Sequence, residues 1–170
     1  MTISLYQSSI PVFLKQLGAM SEILKKAEAH AEKKKIDPSV FTTARLFPDM
    51  LPLTRQIQIA TDAVKGFTAR AAGIEVPSFP DTEVTFADLQ ARIKKATDFA
   101  KSVKPAQIDG NEDKDVTLKF GPNEHTFKVQ HYLLHFALPN FFFHITTAYD
   151  ILRHNGVEIG KMDFLGESTK

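Results

Sequence analysis

Apolar residues recur in alternating steps of three and four along four separate stretches of the chain. The first runs Ile10, Phe13, Leu17, Met20 and on to Ala31, and the second from Met50 and Leu53 through Ile57, Ala60, Val64 and Phe67 to Ala71. The third runs from Phe86 and Leu89 to Ala100 and Val103, and the fourth from Leu134 and Leu138 through Phe141, Ile145 and Ala148 to Leu152. That spacing lines one face of an α-helix. No such stripe can bury itself, so the four together predict an all-α four-helix bundle over residues 1–170 as a single domain.

The residues between the stripes agree. Thr85 followed by Asp88 reads as a capping box opening the third helix. Gly73 and Gly156 stand just beyond the second and fourth stripes, where a left-handed cap favours glycine. Pro11 and Pro52 fall in first turns, where a missing N–H costs little, and Lys104-Pro105 ends the third helix. Pro139 interrupts the fourth pattern, so HYLLHFA (131–137) predicts a short separate or kinked turn feeding a main helix from about residue 139.

The stretch GIEVPSFPDTEV (73–84) can reach about 36 Å at roughly 3.3 Å per residue, more than the ~30 Å length of a 20-residue helix. It predicts a crossover between helices two and three. KDVTLKF and HTFKV flank GPNE and predict a small β-hairpin before the last long helix, with Val116, Leu118 and Phe120 alternating on one face. DPSVFTTARLFPD (37–49) fits a short helix or turn.

Composition narrows the partners. With 21 Lys plus Arg against 20 Asp plus Glu, the net charge of +1 offers no field to attract nucleic acid or an anionic membrane. The lysines of KKAEAHAEKKK (25–35) alternate with glutamates and read as a solvated helix tip. There is no cysteine, which excludes disulfides and thiolate chemistry. No leader and no run of about 18 apolar residues is present, so a cytoplasmic protein is expected.

Chemistry centres on ALPNFFFH (137–144). At about 100° per residue, His144 falls roughly 70° from the centre of the fourth stripe and Tyr149 about as far to the other side. Both flank the core. The residues admit a histidine hydrogen-bonded in the core, for instance to a second-helix glutamine, or a ligand pocket or altered metal site. His131 and His135 have the spacing of a two-histidine metal pair, and His125 can join them at the hairpin mouth; without a nearby carboxylate the signal is weak. No GxSxG, phosphate loop or EF-hand spacing occurs.

The stretches LFPDMLPLTRQIQIATDAVKGFTARAAGIEVPSF (46–79) and FALPNFFFHITTAYDILRHNGVEIGKMDFLG (136–166), with the helix order, resemble the DinB/YfiT-like superfamily, and one functionally uncharacterised branch of it in particular. The resemblance implies an up-down-down-up bundle, frequent homodimers, and often a divalent metal held by three histidines. One of these lies on the second helix and two, four residues apart, on the fourth. Metal-bearing relatives include thiol S-transferases and hydrolases acting on small molecules. In this chain the fourth-helix positions read Asn140 and His144, and the second helix offers Gln56 or Gln58. One imidazole and two neutral amides make a poor set for zinc or nickel, so no metal cofactor is expected.

Three functions follow as expectations. The first is a non-catalytic or small-molecule-binding bundle with a degenerate metal site at Gln56 or Gln58, Asn140, His144 and Tyr149. The second is an enzyme using His144 as base or metal ligand, with Asn140 and Tyr149 orienting substrate. The third is a homodimer pairing through Phe142, Phe143 and Tyr149.

Overall fold

Four long helices carry the stripes: α1 (Ile10–Lys34), α3 (Leu53–Ala72), α4 (Phe86–Ser102) and α7 (Leu138–His154). Short elements join them: α2 (Ser39–Thr42), α5 (Pro105–Ile108), the strands β1 (Asp115–Phe120) and β2 (Asn123–Lys128), α6 (Val129–Tyr132), a π-helical turn (Leu133–Ala137) and α8 (Lys161–Leu165). The computed structural model describes residues 3–166, and the Phe120 side chain, expected on the inner face of the hairpin, lies outside the described residues.

Cross-helix contacts fix the directions. The crossover after α3 returns to the start of that helix, where Gln58 reaches Glu83 at 2.7 Å, and Arg92 of α4 then meets Thr61 of α3 at 2.9 Å. Beyond the far end of α4, Asn111 donates to the carbonyl of Ala71, so α3 and α4 run parallel. The last helix runs the other way, with Gln56 against His144 and Phe67 against Tyr132. The N–H of Tyr6, just before α1, donates to Asp109 just after α4, while Ser21 meets Gln90 near the start of α4. The order is up-down-down-up, with the long connection between the two parallel helices.

Local chemistry places the ends. Thr85 and Asp88 exchange both capping bonds, 3.1 Å from the Asp88 N–H and 2.9 Å from the Thr85 N–H, a motif whose loss costs about 1 kcal/mol. Gly73 caps α3 at φ 67°, in the left-handed region that penalises a Cβ. The hairpin turns at Gly121-Pro122, so Asn123 and Glu124 pair within β2 and not in the turn. Val116 and Leu118 are buried beneath it.

The core is the sum of the stripes. Phe13, Phe67 and Phe141 meet at its centre, with ring centroids 5.8 Å (Phe13–Phe67) and 5.0 Å (Phe13–Phe141) apart and no exposure. Burying each such ring stabilises the fold by roughly 1.5–3 kcal/mol. Among the described residues no helix is long and apolar enough to cross a membrane.

One stripe departs from expectation. Leu134 is 46% exposed and Leu138 only half-buried, whereas Leu133 and Ala137 are inside. The cause is Pro139. It has no N–H to give the carbonyl four residues back, and its ring crowds that group. The backbone answers by widening: the N–H of Leu138 reaches the carbonyl of Leu133, five residues back. The extra residue in that turn shifts the inward register by one. HYLLHFA is therefore continuous with α7 through a π turn.

Candidate functional site

The paired antiparallel faces of α3 and α7 bring Gln56 and His144 together. Nδ1 of His144 lies 2.6 Å from Oε1 of Gln56, and the residues are 8% and 1% exposed. The Nε2 group of Gln56 donates to the carbonyl of Leu51 at 2.8 Å. A carbonyl only accepts, so the amide is held with its oxygen towards the imidazole. Nδ1 therefore carries the proton and Nε2 the lone pair. Burial, and then the nearby Arg55 charge, hold the His144 pKa below the ordinary imidazole value. The ring is neutral at physiological pH. Among the described residues no buried side-chain nitrogen or oxygen lacks a partner, so Nε2, which has no hydrogen-bond partner in the protein, is not wholly sealed from solvent.

Asn140 stands one turn before His144, half-buried on the same side of α7. Tyr149 does not join them. Five residues beyond His144, it is turned about 140° away and packs edge-on against Phe164 of α8, with ring centroids 5.7 Å apart. Gln58, two residues from Gln56, is turned about 200° from it and faces the crossover. The pair brought together is thus Gln56 and His144, with Asn140 one turn away on α7 and the Arg55 charge nearby.

Gln58 belongs to a polar cluster that the sequence did not reveal. Arg92, 2% exposed, donates to Thr61 Oγ1 at 2.9 Å, Asp62 at 2.8 Å, the Pro80 carbonyl at 3.1 Å and both Glu83 oxygens at 3.1 and 3.2 Å. Arg55 links Gln58 and Asp81, and Lys65 pairs with Asp62 at 2.8 Å. Burial raises the Asp81 carboxyl, but the Arg55 hydrogen bond and the charges of Arg92 and Arg55 outweigh it and hold the pKa below the usual carboxylate range. Over the buried Phe79 ring stand the cations of Lys65 at 4.5 Å and Lys95 at 4.2 Å. Cations and carboxylates satisfy one another here, and the cluster clamps the crossover onto α3 and α4. A signal was present: Arg92 lies three residues after Leu89 and four before Ala96, inside a buried stripe.

Three other histidines, His125, His131 and His135, gather at the other end of the last helical run. The rings of His131 and His135 are 4.3 Å apart, and Phe127 stacks on His131 at 6.0 Å and on His125 at 6.4 Å. Among the described residues no three His, Asp or Glu side chains are grouped to hold a metal.

The family model described as "Domain of unknown function (DUF1993)" matches residues 5–165. The chain belongs to the DUF1993 family. This DUF1993 chain is also similar to the crystal structure of a DinB family member protein from Shewanella denitrificans. The TM-score is 0.90 at 38% identity, covering 98% of this chain and 94% of that chain. No curated protein matches it. The fold is therefore DinB-like. The metal implied by that resemblance does not fit the residues of this DUF1993 chain. Gln56 turns its amide oxygen to the Nδ1–H of His144 and gives its Nε2 to Leu51, so His144 Nε2 is the single imidazole donor left at the corresponding positions. Asn140 alone adds one neutral amide, a weak donor for a transition metal.

Proposed function

We propose that this DUF1993 protein is a metal-independent DinB-like binding module, in which His144 Nε2 accepts a hydrogen bond from a small polar molecule. The observation that carries the reading is the Leu51–Gln56–His144 chain, which fixes the imidazole tautomer and aims one lone pair outwards. Asn140, one turn away, supplies a donor and an acceptor beside it. The ligand favoured by this pair carries at least one N–H or O–H to give to Nε2, and the nearby Arg55 charge disfavours a cation. Titrating ¹⁵N-histidine-labelled protein with a panel of small alcohols, amides and carboxylates tests it. At least one donor of the panel should perturb His144 Nε2, and His144→Gln should abolish its binding. A Nε2 signal indifferent to every compound would refute the reading.

A second reading has its own support. A neutral imidazole with Nδ1–H held by an acceptor and Nε2 open is also how a general base is oriented. In that case His144→Gln would remove turnover with helical content intact. The proposal further takes the protein as cytoplasmic and homodimeric. Of the three aromatics expected on the dimer face, Phe143 is 57% exposed, while Phe142 is half-buried and packs edge-on against Phe141, and Tyr149 is half-buried against Phe164. A dimer through this edge rests on Phe143, and light scattering of Phe143→Glu against wild type decides it.

A further inference from the structure

We propose that His131 and His135 form an exchangeable surface site for a borderline divalent cation, Cu²⁺ most tightly and Ni²⁺ or Zn²⁺ less so. The pair lies where α6 gives way to the π turn, and it shares no residue with the Gln56–His144 group, so it does not rest on the function proposed there. The two imidazoles are four residues apart, which on any right-handed helix puts them on successive turns. His131 belongs to α6 and His135 to the π turn that follows it. The two side chains lie nearly above one another, and their ring centroids are 4.3 Å apart with planes inclined by 32°.

Both residues are exposed. Among the described residues neither imidazole takes part in an ion pair or a side-chain hydrogen bond, so its nitrogens are uncommitted. The Phe127 ring lies almost parallel to His131, at 10° and 6.0 Å, and limits the orientations that imidazole adopts before an ion arrives. A ligand already held costs less to order on binding. Two imidazoles that face each other on one helical face suit Cu²⁺, Ni²⁺ and Zn²⁺, with copper first in the order of divalent affinities. No third His, Asp or Glu is grouped with them among the described residues, so water fills the remaining positions. Such a site is exchangeable, unlike the four-ligand structural sites of zinc. The ion would bridge α6 and the π turn, and would stabilise the folded chain by mass action.

The test uses the tag-free full chain, titrated with CuCl₂ by calorimetry and followed by thermal unfolding. One ion per chain is expected, with a melting temperature that rises with copper concentration. His131→Asn and His135→Asn should each weaken binding by at least about tenfold, since either leaves a single ligand without its neighbour. The double variant should bind no ion at this position. In unmodified protein, substoichiometric copper should broaden the ring proton resonances of His131 and His135 before those of the other histidines, a readout that needs no variant. Copper binding of equal strength in the double variant, or broadening that begins elsewhere, overturns the proposal. So does a wild-type chain that takes up no copper.

Discussion

Gln56 and His144, 88 positions apart in the chain, share a 2.6 Å hydrogen bond at the interface of two antiparallel helices. Both are buried, and Gln56 is itself tied to the Leu51 carbonyl. A polar pair in such a place is stable only because each member satisfies the other. Removing one member should therefore cost more than removing both.

Gln56→Ala leaves the Nδ1–H of His144 without an acceptor and should destabilise the fold by about 1–3 kcal/mol in urea unfolding. The Gln56→Leu, His144→Leu double variant should lose less than the two single variants summed, with a coupling above about 0.5 kcal/mol. Strict additivity would mean that the bond contributes nothing.

The pH dependence follows from the depressed His144 pKa. The unfolded chain protonates this imidazole near the ordinary value of about 6.5, while the folded chain resists until lower pH. Between those two values the unfolded state holds more protons, so stability falls as pH falls. The contribution is complete above about pH 6.5 and is lost progressively towards the folded pKa, at no more than about 1.4 kcal/mol per pH unit. Urea midpoints measured from pH 5 to 8 should show this slope in wild type and a shallower one in His144→Gln.

Arg92→Met strips the guanidinium from Asp62, Glu83 and the Pro80 carbonyl at once. Breaking a buried ion pair on one side costs about 3–5 kcal/mol, and the half-exposed position of Asp62 puts this case at the lower end. Arg92→Lys should recover little, because a point charge cannot span partners that the planar guanidinium reaches together. Amide exchange of residues 74–84 should accelerate in both variants, and protection equal to wild type would show the crossover to be held by other means.

The π turn makes a sharp contrast between neighbours. Leu133→Ala should cost about 2–5 kcal/mol as a core truncation, while Leu134→Ala should stay within about 0.5 kcal/mol. A regular helix through this segment would reverse the order.

The helices were legible because burial repeats with the period of the backbone. From Phe13 to Val103, α1, α3 and α4 bury the apolar stripes read from the sequence, except Met50, which is half-buried ahead of α3. Pro139 announced a break, yet whether a helix kinks, stops or widens there depends on the core it must face, and the one-residue shift from Leu134 to Leu133 followed from that choice. The site was half legible. Gln56 and Gln58 point to nearly opposite faces of α3, and only the packing of α7 selects Gln56 for His144. The role of Arg92 is not legible in the sequence, because an arginine reads as solvated until partners about thirty residues away, Thr61 and Asp62, are brought against it.

The most direct measurement of the central claim is the ¹⁵N imidazole spectrum of His144 without and with one equivalent of zinc or nickel. A metal-independent site held by Gln56 predicts a protonated Nδ1 and an unprotonated Nε2, both unchanged by either ion. A protonated Nε2, or a Nε2 signal displaced stoichiometrically by metal, would contradict it.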